Sequence, residues 1–243
     1  MKCLGVIPAR MASTRLPGKP LYPILGKPLV QWVIEGAQKG SRFLQHLIVA
    51  TDDERIATVA RACGVEAVLT PSDLPSGTDR ISAAAQGRGF DIILNIQGDE
   101  PLLKGAWLDA LAAPFESSGD IQMTTLAHAL NPDELASPNA VKVVLNRRSE
   151  AIYFSRFPIP FSRQEMKQSI SFKHVGLYGY RASFLKEFCA LGPVPLEQAE
   201  SLEQLRALYL GAKIHVVPVD FQSWGVDTPE DVVKVEKILK QGG

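Results

Sequence analysis

Short apolar runs that alternate with helix-period segments constrain this chain most. Residues 4–7, 47–50, 67–69 and 92–96 are compact apolar stretches, and segments 29–39, 53–63 and 80–86 between them have helical character. Within 53–63, Ile56, Val59, Ala60 and Cys63 recur at helical spacing, with Asp52 and Asp53 suited to cap the start and Gly64 to end it. Strands alternating with helices in this way predict an α/β fold with a mostly parallel sheet. At 243 residues the chain fits one α/β domain, or a domain plus a small insertion, and a chain of that length buries roughly 70% of its unfolded surface.

The rhythm lapses in the second half. Segments 122–126 and 141–145 read as strands, the Pro- and aromatic-rich piece 153–161 as irregular or edge structure, and 176–180 as another strand. A helix over 196–209, a strand over 214–219 and a closing helix over 229–239 follow, the last with Thr228 as cap and Pro229 in its first position. Residues 1–243 are expected to form a single domain, in which about 137–209 is an insertion-like lid or interface element on one sheet.

The first strand runs into a loop, residues 8–20, that carries Arg10, Arg15 and Lys19 on backbone kept from continuing as helix by Pro17, Gly18 and Pro20. Cations collected at the carboxyl end of a strand suit a polyanion such as a nucleotide triphosphate, because open α/β sheets bind ligands at that edge. A solvated basic loop is the alternative. Two phosphate motifs are excluded. GxGxxG does not follow the first strand, and neither Gly18-Lys19 nor Gly26-Lys27 has the Ser or Thr and the earlier glycine of a Walker loop. A dehydrogenase and a P-loop ATPase are thereby disfavoured, and side chains as well as backbone amides are expected to hold the phosphates.

The 26 basic and 26 acidic residues cancel, which argues against nucleic-acid or anionic-membrane binding and confines any anion site to a local cluster. No apolar run approaches the roughly 18 residues of a membrane span, and the opening residues do not resemble a signal peptide. Cys3, Cys63 and Cys189 form neither CxxC spacing nor a cluster, so neither a disulfide framework nor a zinc site is indicated. A cytoplasmic protein is expected.

Segment 95–101, NIQGDEP, ends a strand in a turn bearing Gln97, Asp99 and Glu100. Asp99 is a candidate Mg2+ ligand, since magnesium takes few protein carboxylates and completes its shell with phosphate oxygens and water. Good turn chemistry alone also explains an aspartate there. Asp227, just before the final helix, could cap that helix or share a metal with Asp99 opposite the basic loop.

Taken together, segments 7–20 (IPARMASTRLPGKP), 76–80 (SGTDR), 95–101, 153–156 (YFSR), 174–180 (HVGLYGY), 202–206 (LEQLR) and 226–231 (VDTPED) closely resemble the 3-deoxy-manno-octulosonate cytidylyltransferases, the CMP-Kdo synthetases. The likeness spans nearly the whole chain, and looser forms of several segments occur in other sugar nucleotidyltransferases. The resemblance implies a Rossmann-like nucleotidyltransferase fold of the nucleotide-diphospho-sugar transferase type. It also implies an insertion forming the sugar site and dimer interface, a homodimer, Mg2+, and the conversion of CTP and Kdo into CMP-Kdo and diphosphate for lipopolysaccharide synthesis.

Residue roles follow from the same resemblance. Arg10, Arg15 and Lys19 match the triphosphate loop, with Lys19 offsetting charge in the transition state. Pro8, Ala9, Ser76, Gly77 and Gln97 match segments around the cytosine and ribose. Asp99 and Asp227 match the metal ligands. Gln97, Arg156, His174, Tyr178, Glu203 and Gln204 match positions that hold Kdo, a sugar acid whose carboxylate an arginine can pair and whose hydroxyls mixed donors and acceptors can orient.

Without the resemblance, His174 reads as a satisfied structural histidine, and Glu203 and Gln204 as the polar face of a helix whose Leu202, Leu205 and Leu208 turn inward. The implied mechanism is direct in-line attack of the anomeric hydroxyl on the α-phosphorus, without a covalent enzyme intermediate. Met11 stands where the family often has an aromatic residue, and the approach to Asp227, residues 221–226, is less glycine-rich than in many members. An 8-amino analogue of Kdo and another acidic sugar such as a nonulosonate therefore stand as alternative substrates, and a nucleotide-binding protein without turnover as the alternative from another class.

Overall fold

The computed structural model describes residues 1–13, 15–163 and 170–241. Thr14 of the basic loop and residues 164–169 of the expected insertion lie outside the described residues. The chain forms two compact units, Met1–Ala112 joined by the C-terminal stretch from Ser223, and Ala113–Gln222.

The first unit opens with β1 (Cys3–Ala9), then a small hairpin of β2 (Pro23–Ile24) and β3 (Lys27–Pro28), and α1 (Leu29–Gln38). It continues as β4 (Leu44–Thr51), α2 (Glu54–Ala62), β5 (Glu66–Leu69), α3 (Gly77–Ala85), β6 (Ile92–Asn95) and α4 (Gly105–Ala112). The strands stand in the order β6, β1, β4, β5, and every pairing is parallel. Six of the seven β1 residues are buried, as expected of a strand covered on both faces.

Register decides what emerges at the sheet's carboxyl edge. Ala9 lies opposite Thr51, and Val6 opposite Asn95, so the loops after β1, β4 and β6 leave from one side. The helix expected over 80–86 starts earlier, at Gly77, because the Ser76 side chain accepts from the Asp79 amide and caps it. Two glycines permit close packing around α1. A Cβ at Gly36 would lie 2.3 Å from the Leu103 carbonyl oxygen, and one at Gly105 would lie 2.2 Å from that of Lys39.

The second unit begins with the short α5 (Pro114–Ser117) and contains β7 (Met123–Ala129), β8 (Lys142–Leu145), β9 (Ala151–Ser155) and β10 (Ser171–Arg181). Helices α6 (Ala182–Leu191), α7 (Pro195–Glu200) and α8 (Leu205–Tyr209) precede β11 (Ile214–Val219). Here β7 pairs parallel with β11 and antiparallel with β10, while β8 pairs antiparallel with both β10 and β9.

Segment 153–161 is, as expected, edge strand as far as Ser155, where β9 pairs with β8, and irregular beyond it. Two features differ from expectation. Helix α6 has a clear apolar stripe, Phe184, Leu185 and Phe188, that sequence reading passed over. The helix expected over 196–209 is two, because Ser201 takes a left-handed conformation (φ 52°) and Arg206 folds back to meet both Glu197 carboxylate oxygens at 2.9 and 2.7 Å.

The chain then returns to the first unit as α9 (Pro229–Lys240), capped by Thr228 as expected. Thr228 and Asp231 form a reciprocal capping box.

Candidate active site

The basic loop is anchored by an apolar residue in its middle. Leu16 is 3% exposed and packs in a buried cluster with Ile24, Leu29, Val226, Val232 and Val235. Gly18, at φ 67°, turns the backbone into a single helical turn, closed by the Leu21 amide donating to the Gly18 carbonyl at 2.9 Å. Lys19 is thereby held on fixed backbone, with its side chain 16% exposed.

Two carboxylates meet it. The Lys19 ammonium lies 2.5 Å from Asp99 Oδ2 and 2.9 Å from Asp227 Oδ1, and the Arg15 guanidinium reaches the same Asp227 oxygen at 3.0 Å. Burial pulls the lysine's pKa down, but the charges and hydrogen bonds of Asp99 and Asp227 outweigh it, leaving the ammonium above its ordinary value of 10.5.

Backbone geometry brings the acids together. The Val226 amide donates to the Asp99 carbonyl at 2.9 Å. The turn carrying Asp99 crosses close over β1, where a Cβ on Gly98 would sit 2.9 Å from the Pro8 carbonyl oxygen. Thr228 does the capping of α9, so the Asp227 carboxylate is directed to the cations instead.

These groups line a cleft of about 660 Å³. Pro8, Ala9, Arg10, Arg15 and Lys19 line it from the β1 side, and Gly77, Gln97, Asp99 and Asp227 from the facing segments. Ser76 is not among the lining residues; its hydroxyl caps α3 and donates to Asp79 Oδ2 at 2.8 Å. Sequence reading gave no role to Ser13, Gly98 or Arg80, which also line the cleft. Arg80 is 2% exposed and pairs with Asp52 Oδ2 at 3.0 Å, so this buried guanidinium ties α3 to the loop after β4. Its place in the quoted SGTDR segment was the available signal.

The donor set fits magnesium. Two hard carboxylates reach one cation-sized point, and among the described residues no group of three or more His, Cys, Asp or Glu could hold a metal. A metal here would need phosphate and water oxygens to complete its shell, which is how magnesium binds beside nucleotides.

The second unit holds the remaining expected residues. His174 and Tyr178 sit on either side of an irregularity in β10, with ring centres 5.5 Å apart. The Thr125 hydroxyl donates to the Leu177 carbonyl at 2.8 Å and lies 3.0 Å from His174 Nε2. Burial drives the His174 pKa down to about 3, so the ring is neutral.

The Tyr178 hydroxyl donates to Gln204 Oε1 at 3.2 Å, and burial together with Glu203 raises its pKa. Gln204 is buried at 3% exposure instead of standing on a solvated face, and its Nε2 has no hydrogen-bond partner among the described residues. A buried amide donor without a partner is costly unless something else accepts from it. Glu203 is half-buried, 3.8 Å from the Arg206 guanidinium. Arg156 is held by backbone: its Nε donates to the Glu200 carbonyl at 2.8 Å, and its terminal nitrogens to those of Pro138 and Ser201 at 2.9 and 3.2 Å. His174, Tyr178 and Gln204 thus form one contact chain, whereas Arg156 belongs to a second polar group.

The family model for cytidylyltransferases matches residues 4–214. A 3-deoxy-manno-octulosonate cytidylyltransferase of Bdellovibrio bacteriovorus is 53% identical over the full length of both chains. The enzyme of the same name from Solibacter usitatus is 47% identical, over 98% of this chain and 95% of its own. Among solved structures, CMP:2-keto-3-deoxy-manno-octonic acid synthetase complexed with CTP superposes with a TM-score of 0.94 at 41% identity and full coverage of both chains. A cytidylyltransferase from Leptospira borgpetersenii, 19% identical with a TM-score of 0.65 over 100% of this chain and 95% of its own, shares the fold.

Proposed function

Since this chain belongs to the 3-deoxy-manno-octulosonate cytidylyltransferases, we propose that the cleft of Arg10, Arg15, Lys19, Asp99 and Asp227 is where it activates Kdo. The reaction is CTP plus Kdo giving CMP-Kdo plus diphosphate. The observation that carries this assignment is the meeting of Lys19 with both aspartates in one cleft at the sheet's carboxyl edge.

In this reading, the anomeric hydroxyl of Kdo attacks the α-phosphorus in line. A new O–P bond forms, the bond from the α-phosphorus to the β-phosphate oxygen breaks with its electron pair leaving on diphosphate, and the hydroxyl's proton passes to solvent water. Arg10, Arg15 and Lys19 hold the triphosphate and stabilise the charge that gathers on the leaving diphosphate. Pro8, Ala9, Gly77 and Gln97 surround cytosine and ribose, and Ser76 serves them by capping the helix that presents Gly77. Asp99 and Asp227 would hold Mg2+, which when bound polarises the α-phosphate and favours the ionised nucleophile.

Gln97, Arg156, His174, Tyr178, Glu203 and Gln204 match the family positions that hold Kdo. Arg156 pairs with its carboxylate, and neutral His174, Tyr178, Glu203 and Gln204 orient its hydroxyls, the unpartnered Gln204 amide being a ready donor. Residues about 137–209 are thus assigned to sugar binding and dimerisation. The exposed side chains of Ile152, Phe157, Phe161 and Ile170 support a homodimer formed through this region, because apolar residues grouped in one segment favour a partner surface. A cytoplasmic location is in keeping with its need for CTP and with three free cysteines. Among the described residues, no helix is long and apolar enough to cross a membrane.

Diphosphate release with CTP and Mg2+ tests the assignment, comparing Kdo, 8-amino-8-deoxy-Kdo and N-acetylneuraminate, with Asp99→Ala as control. Release with Kdo that Asp99→Ala abolishes is the expected result. Release with only another sugar would move the substrate, and no release with any would overturn the activity.

A further inference from the structure

Lys142 is the most completely enclosed cation among the described residues, at 0% exposure, and no carboxylate touches it. Its ammonium donates to the Ser137 carbonyl at 2.9 Å, the Ala140 carbonyl at 2.7 Å and the carbonyl of Arg156. Arg156 in turn donates to Pro138 in the same turn, so two cations grip residues 137–140 and Lys142 holds the arginine's own backbone.

Among the described residues, the one carboxylate at this node is Glu200. Its oxygens accept from the Ser155 hydroxyl at 2.6 Å and the Arg156 amide at 2.9 Å, not from either cationic head group. Burial pushes the Lys142 pKa down, with Glu200 opposing that shift and Arg156 adding to it, so Lys142 feels both neighbouring charges.

Two positive charges against one negative, counted among the described residues, is an unusual balance for a shielded site. Burying a cation without a counter-charge is expensive, and a structural brace for three carbonyls would not need one. The excess charge has an outlet at Arg156, which is half-buried. Three of the five N–H bonds of a guanidinium are spent on carbonyls here, leaving two for a ligand.

We propose that Lys142 is the positioning residue that makes the sugar site selective for an acid. It fixes Arg156 and the 137–140 turn from behind, and leaves the node one positive charge in excess, which a sugar carboxylate neutralises. This rests on the reading of Arg156 as the partner of that carboxylate.

The test compares Kdo with the analogue whose carboxylate is reduced to an alcohol, each titrated by calorimetry against the enzyme, alongside steady-state kinetics of Lys142→Met. Wild type is expected to prefer the acid by about tenfold or more, the scale of a charge-assisted hydrogen bond. In Lys142→Met that preference collapses and KM for Kdo rises about tenfold, while KM for CTP changes less than about twofold.

Equal binding of acid and alcohol by wild type would overturn the proposal, as would a Lys142→Met enzyme that keeps its preference or loses CTP and Kdo affinity in equal measure. Lys142→Gln, with the same expectations, serves if the methionine variant does not fold. Failure of wild type to release diphosphate with Kdo would instead overturn the function on which the proposal rests.

Discussion

Leu16 and Val226 pack in the same buried cluster, and each is one residue away from a partner in an ion pair, Arg15 and Asp227. Apolar burial thus sets the distance between the basic loop and the second carboxylate. Leu16→Ala should cost about 2–4 kcal/mol of stability, as large-to-small core changes do. It should also raise KM for CTP by loosening the loop, with urea unfolding and CTP kinetics as the two measurements. An unchanged KM in a destabilised variant would show that the loop holds its place without its anchor.

Lys19 pairs with two carboxylates in the free protein and is assigned to the phosphates in the reaction. Lys19→Met should lower kcat by about 10²–10³, the usual cost of removing one preorganised donor to transition-state charge. Single-turnover kinetics at saturating CTP separates this from weaker binding. A variant with normal kcat would move the transition-state role to Arg10 or Arg15.

His174 gives the fold a specific acid sensitivity. Its folded pKa, about 3, lies below the ordinary 6.5, so between those values the unfolded chain binds a proton that the native ring refuses. Stability should therefore fall as pH drops from about 6.5 towards 3, by at most about 1.4 kcal/mol per pH unit from this group. Urea unfolding of wild type and His174→Asn across that range should show a shallower dependence in the variant. Parallel curves would mean that other groups carry the effect.

Gly36→Ala should destabilise by about 1–3 kcal/mol or more, because its Cβ would meet the Leu103 carbonyl oxygen at 2.3 Å, and backbone must move to admit it. Gly77→Ala should leave stability nearly unchanged, since its Cβ meets only the Pro8 ring, at 3.7 Å. Thermal melts of the two variants check the contrast, and similar Tm values would contradict it.

What could be read in advance was what local chemistry dictates. The strand before the basic loop, the Asp53 cap of α2 and the Thr228 cap of α9 depend on neighbours in sequence, and they stand where periodicity and capping placed them. Asp227 reads in sequence as either cap or metal ligand, and the folded chain leaves the capping to Thr228 and turns Asp227 to Lys19.

What escaped notice depends on distant partners. Arg80 and Lys142 look like surface cations in a sequence, and are buried because Asp52 in one case and three carbonyls in the other receive them. The break at Ser201 has no glycine to mark it, and Gln204 is drawn inward by Tyr178. The stripe of α6 was legible at helical spacing and was simply missed.

The return of the chain to its first unit has a consequence for synthesis. Lys19 and Asp99 emerge from the ribosome early, whereas Asp227 is made only after the entire second unit, Ala113–Gln222, has been translated. A nascent chain can assemble the parallel sheet and half of the charge cluster, but no cleft with both acids. The cluster of Lys19 with both acids can therefore close only after the second unit has been made, and a shorter growing polypeptide carries at most one of its two aspartates.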